Sequence, residues 1–96
     1  MDVVKFDIRK VVFEDLSGNV LTDIPIEQIG EVIGNMMYAH ARTIEEDELS
    51  RAIHRPKEID TTKEALQLAK TCVMSDNLVT SRMIRNSILK YIDSLL

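Results

Sequence analysis

Cysteine occurs once in this chain, tryptophan not at all, proline twice and glycine three times. The single thiol, Cys72, excludes an internal disulfide and fits a reducing compartment. Set in an apolar helical stretch, it reads as an inert core group. Two prolines and three glycines among 96 residues are too few for a disordered or fibrous chain. The aromatics are only Phe6, Phe13, Tyr38 and Tyr91, too sparse to build a stacking platform for single-stranded nucleic acid. No apolar run approaches the about 20 residues of a membrane span, and charge interrupts Met1-Asp2-Val3-Val4-Lys5-Phe6-Asp7 too often for a signal peptide. A cytoplasmic protein without membrane partners is expected, in a bacterial host if the chain is phage-encoded.

Catalytic constellations are also missing. There is no pair of carboxylates placed to differ in environment, no Cys–His pair with an orienting acid and no phosphate-cradling glycine loop. His40, His54 and Cys72 do not make a metal-ligand spacing. The expectation is a non-enzymatic protein without cofactor or metal.

Hydrophobic residues make up 45% and charged residues 29%, with a formal charge of −4. That balance supports one domain over residues 1–96 and argues against a general affinity for phosphate backbones. The charge is unevenly spread: residues 1–48 hold four bases against eleven acids, and residues 49–96 eight bases against five acids. Opposed halves suit intramolecular packing, head-to-tail association, or a basic patch facing an acidic partner.

Val4, Phe6 and Ile8 alternate with Lys5, Asp7 and Arg9, the period-2 pattern of a strand with one wet face. Val11-Val12-Phe13 continues it, Asp15-Leu16-Ser17-Gly18-Asn19 supplies turn chemistry, and Val20-Leu21-Thr22 returns. A β-hairpin over residues 3–22 follows. A calcium loop does not, because the alternating acids and closing Glu are lacking. From Pro25 onward the periodicity is helical, over residues 25–96. The first helix opens with Thr22 or Asp23 as cap and turns Ile26, Ile29, Ile33, Met36, Met37 and His40 to one side. His40 in that arc reads as tied to a local carbonyl. Gly30 and Gly34, each costing about 1 kcal/mol relative to Ala, point to a close approach by another element.

Thr43-Ile44-Glu45-Glu46 has the capping-box form and opens a second helix over about 44–55, stopped by Pro56. Thr61-Thr62-Lys63-Glu64 repeats the form and opens a third, with Ala65, Leu66, Leu68, Ala69, Cys72 and Val73 inward. After Ser75-Asp76-Asn77 a fourth helix runs on, with Leu78, Ile84, Ile88, Leu89, Tyr91, Ile92, Leu95 and Leu96 on one apolar arc. The architecture expected is α+β, an N-terminal β-hairpin on about four helices, with the first and last helices at the centre.

Val79 and Met83 fall on the otherwise polar side of that last helix, beside Arg82 and Arg85. Two functions compete for them. As a protein-docking patch, they would meet a partner or a second copy of the chain. As part of a helix-turn-helix, Ala69, Ser75 and Val79 have compatible spacing, and Thr80, Ser81, Arg82 and Arg85 would serve DNA phosphates or bases. Against the second stand Val73 where glycine is usual, Asp76 at the start of the reading helix, and that helix's long apolar face.

The order of Val11 to Phe13, Asp15-Leu16-Ser17-Gly18-Asn19, Ile29-Gly30-Glu31-Val32-Ile33, and Leu78-Val79 leading to Ile88-Leu89 resembles a set of small phage-encoded proteins of unassigned function. Ser17 in the turn and the Pro25 entry depart from their pattern. The resemblance implies a phage or prophage origin and no particular activity or site. A phage accessory protein acting as a protein–protein interaction module is the expected function, with a DNA-binding regulator as the alternative.

Overall fold

The computed structural model describes residues 3–75 and 82–96. It is an α+β structure in which the first strand, β1 (Val3–Phe6), does not belong to a hairpin with its sequence neighbours. It pairs antiparallel with a strand 53 positions further on, β4 (Ile59–Thr62), in the register Val4↔Thr61 and Phe6↔Ile59. The expected hairpin over residues 3–22 is therefore confined to β2 (Phe13–Glu14) and β3 (Val20–Leu21). A 3-10 turn at Ile8–Lys10 divides the two parts. Asp7 caps that turn by accepting from the Arg9 backbone N–H at 3.0 Å. Breaking the alternation there lets Phe6, Asp7 and Ile8 all be buried in succession, which a continuous strand would forbid.

Four helices follow the pattern of the sequence: α1 (Ile26–His40), α2 (Ile44–His54), α3 (Lys63–Met74) and α4 (Arg82–Leu95). The capping box of α2 forms as expected. Thr43 Oγ1 accepts from the Glu46 N–H at 3.1 Å, and Glu46 Oε1 accepts from the Thr43 N–H at 3.2 Å. Two other helix starts differ. Helix α1 begins after Pro25 with no side-chain cap, so neither Thr22 nor Asp23 fills that role. In α3 the cap is Thr62, whose hydroxyl accepts from the Ala65 N–H at 3.2 Å. Both threonines belong to the β4 ladder, Thr61 opposite Val4 and Thr62 opposite Val3, and Thr62, the last residue of the strand, is also the residue next to the first turn of α3. The Thr61 hydroxyl is left buried without a partner among the described residues.

Helices α1 and α2 are joined by three residues and fold back on one another as an antiparallel pair. Their contact runs through the two glycines. A methyl group at Gly34 would stand 2.6 Å from His54 Cβ and 2.7 Å from both His54 N and the Ser50 carbonyl, and one at Gly30 would collide with the Ile53 carbonyl. The buried side of α1 is accordingly Gly30, Ile33, Gly34 and Met37. Ile26, Ile29 and Met36 are half-buried at its margin, and His40 is exposed without a hydrogen bond among the described residues, contrary to its expected place in the arc. The two glycines let α2 approach closely, while Ile33 and Met37 between and beside them enter the core.

Helix α3 is the hub. Its Ala65, Leu66, Ala69, Cys72 and Val73 are buried, and it packs against α1, α2, α4 and β4. It thus takes the central place expected of α1 and α4. The core also holds Phe6, Ile8, Phe13, Leu49, Ile53, Ile88 and Ile92. Each such side chain contributes about 1.5–3 kcal/mol on leaving water.

Candidate interaction surface

Helix α4 is fastened along its length. Ile88 and Ile92 are buried, and Ile84, Leu89, Tyr91 and Leu95 pack at the core margin. The Tyr91 ring lies 5.4 Å from that of Phe6, tilted by 57°, and its hydroxyl accepts from the Asp7 N–H at 3.1 Å. Two polar contacts tie α4 to α3: Lys70 Nζ to Asp93 at 2.9 Å, and Arg85 Nη2 donating to the Ser75 carbonyl at 3.3 Å. Their order along the two helices is opposite, so α4 returns beside α3 in an antiparallel sense. What remains for solvent is the face bearing Arg82, Asn86 and Lys90, with Met83 and Ser87 half-buried beside it.

The β2–β3 turn faces this strip. Asp15 organises the turn by itself, its carboxylate accepting from the Ser17 and Asn19 N–H groups at 2.9 and 3.0 Å and from the Asn19 side-chain amide at 3.2 Å. The Asn19 backbone N–H, with further help from its side chain and from Ser17 and Gly18, holds the Asp15 carboxyl below its ordinary range. Gly18 takes the positive φ of 84° that the reversal requires. Such a turn is rigid enough to hold an apolar residue in water, and Leu16 at its tip is fully exposed. Val12 is 53% exposed, because the period of 2 that buries Val11 and Phe13 turns it outward.

Between this turn and α4 lies an open groove of about 770 Å³. Val12, Leu16 and Met83 supply its apolar surface, Glu14 and Asp15 stand on one wall, and Arg82 and Lys90 on the other. No protein-family model, curated protein or solved structure matches the chain. The groove's chemistry has to be judged from its own residues.

Of the residues singled out in the sequence, Arg82 and Met83 line the groove. Arg85 does not, being half-buried and engaged at Ser75. Val79, Thr80 and Ser81 lie outside the described residues. Val12, Glu14, Asp15, Leu16 and Lys90 are additions, and two of them carried a signal: Val12 as the outward member of an apolar triplet, and Leu16 as an aliphatic residue inside turn chemistry. Among the described residues, no group of three or more His, Cys, Asp or Glu is placed to hold a metal ion. No described helix is long and apolar enough to cross a membrane. Cys72 is buried, and burial pushes its thiol up, away from the reactive thiolate.

Proposed function

We propose that the chain is a non-enzymatic protein-interaction module whose docking surface is the groove between the β2–β3 turn and α4, and that its occupant is the same surface of a second copy. The observation that carries this reading is the distribution of charge about the groove. An acidic wall, Glu14 and Asp15, faces a basic wall, Arg82 and Lys90, across the apolar Val12, Leu16 and Met83. A two-fold axis brings each acidic wall onto the partner's basic wall and each Leu16 toward the partner's Met83. A self-complementary, isologous contact has that form. The resemblance to small phage-encoded proteins supports placing such a module among phage accessory proteins.

The DNA-binding alternative has thinner support. Arg85 spends a guanidinium nitrogen on Ser75, and α4 commits one long face to α3 and β2. A reading helix needs its basic residues free for phosphates and bases.

Sedimentation equilibrium over a range of protein concentrations tests the proposal. The native chain should associate to a dimer, Leu16→Asp and Met83→Glu should each hold it monomeric with an unchanged far-UV circular dichroism spectrum, and Glu14→Lys should weaken the dimer unless Lys90→Glu is added. A native chain that stays monomeric at every concentration refutes the dimer. Retarded duplex DNA at low salt, lost in Arg82→Ala, would replace the reading with the alternative.

A further inference from the structure

A second cavity, sharing no residue with the groove, opens between the C-terminal half of α1 and the end of α2. Its volume is about 550 Å³. Asn35 and Tyr38 line it from α1, and Arg51, His54, Arg55 and Lys57 line it from α2 and the residues beyond. In a chain with sixteen acidic residues and a net charge of −4, this cavity has no carboxylate among its described lining residues.

The acids nearest in sequence are occupied elsewhere or used to build the site. Glu58, next to Lys57, is drawn toward the β1 side by Lys10 at 3.5 Å and Lys5 at 3.7 Å. Asp47 takes Arg51 Nε at 2.7 Å, while the Arg51 guanidinium carbon stands 5.2 Å from the centre of the Tyr38 ring. Carboxylate and ring together fix that guanidinium before any ligand arrives, which lowers the ordering cost of binding. Arg55 and Lys57 make no ion pair among the described residues. Favourable placement of cations at a helix C-terminus accounts for Arg51 and His54, but Lys57 lies past the helix end and gains little from its dipole.

We infer that this cavity binds a small phosphate monoester. A phosphate monoester carries about −1.5 to −2 charges at pH 7 and three strong acceptor oxygens, which matches a planar guanidinium fork beside a lysine ammonium. The volume lies within the roughly 300–1,000 Å³ usual for small-molecule sites and leaves room for an organic group beside the phosphate. The Tyr38 ring and the Asn35 side of α1 provide a neutral wall for that group.

The test is a titration of the full chain with ribose 5-phosphate, ribose and inorganic phosphate, followed by backbone amide shifts. Ribose 5-phosphate should move the amides of residues 51–55 and 57 saturably, ribose should not, and inorganic phosphate should move the same amides with lower affinity. Arg55→Ala with Lys57→Ala should weaken ribose 5-phosphate by roughly 10- to 100-fold. Because both side chains are exposed, the variant should keep its fold, and its circular dichroism and melting curve check that. No saturable shift at residues 51–55 and 57, shifts spread over other basic residues, or undiminished affinity in the double variant each overturns the assignment.

Discussion

Replacing Gly34 by alanine sets two effects of opposite sign against each other, and the structure decides between them. In an open helical position, alanine gains about 1 kcal/mol over glycine from propensity. At Gly34 the added methyl meets His54 Cβ at 2.6 Å and two backbone atoms, His54 N and the Ser50 carbonyl oxygen, at 2.7 Å. Backbone cannot swing aside as a long side chain can, so α1 and α2 must separate. Overpacking of this kind costs about 1–3 kcal/mol, occasionally more. With three contacts under 3.0 Å the upper end applies, and subtracting the propensity gain leaves a net loss of about 2 kcal/mol. For a chain of this length that lowers the melting temperature by roughly 8–16 °C. Urea and thermal unfolding followed by circular dichroism measure it directly, with Gln28→Ala, exposed on the same helix, as the control for propensity. A Gly34→Ala protein melting at or above the native temperature would mean that the two helices do not approach as described.

Three further outcomes are expected. Tyr91→Phe keeps the ring against Phe6 but removes the hydroxyl that accepts from the Asp7 N–H. It should cost about 1–3 kcal/mol in urea unfolding, and a neutral result would show that water serves that N–H equally well. Thr43→Ala deletes one half of the α2 capping box and should cost about 1 kcal/mol, with the loss appearing as faster amide exchange in the first turn of α2. The Asp7 carboxyl is held below its ordinary value of 3.8 chiefly by the Arg9 side chain, burial opposing in part. A carboxyl depressed in the folded state stabilises above its unfolded value, and that contribution disappears as pH falls through the folded one. Native stability should therefore decline below about pH 4, and Asp7→Asn should flatten that acid limb, the residual slope coming from Asp15, which is depressed too. An unchanged slope in Asp7→Asn would contradict the Asp7–Arg9 pairing.

The helices could be read from the chain because their signals are local: a capping box at Thr43–Glu46, a proline at 56, and apolar spacing in α4. The Asp15–Gly18 turn was legible for the same reason. The partner of β1 was not. Ile59-Asp60-Thr61-Thr62 is too short for its alternation to stand out, and its last residue, Thr62, is a helix cap as well as a strand residue. Only pairing with Val3–Phe6 settles the strand role. The core side of α1 was legible from Ile33 and Met37, and the close approach from Gly30 and Gly34, but His40 at the end of the same arc is exposed. Arg82 and Met83 were recognisable as unusual. The groove they line was not, since it exists only where residues 12–17 meet residues 82–90.

The pairing of β1 with β4 also imposes an order on the chain's assembly. During synthesis β1 emerges before its partner, and Phe6 waits for Ile59, 53 positions later. At about 5–20 residues per second that interval is roughly 3–10 s. Throughout it Val4 and Phe6 have no sheet to join, while the α1–α2 hairpin can close on neighbouring sequence. β1, though earlier in the chain than either helix, is thus stitched in after them. Its early exposure makes the N-terminal strand the place where a chaperone, or a neighbouring nascent chain, would first find an unpaired edge.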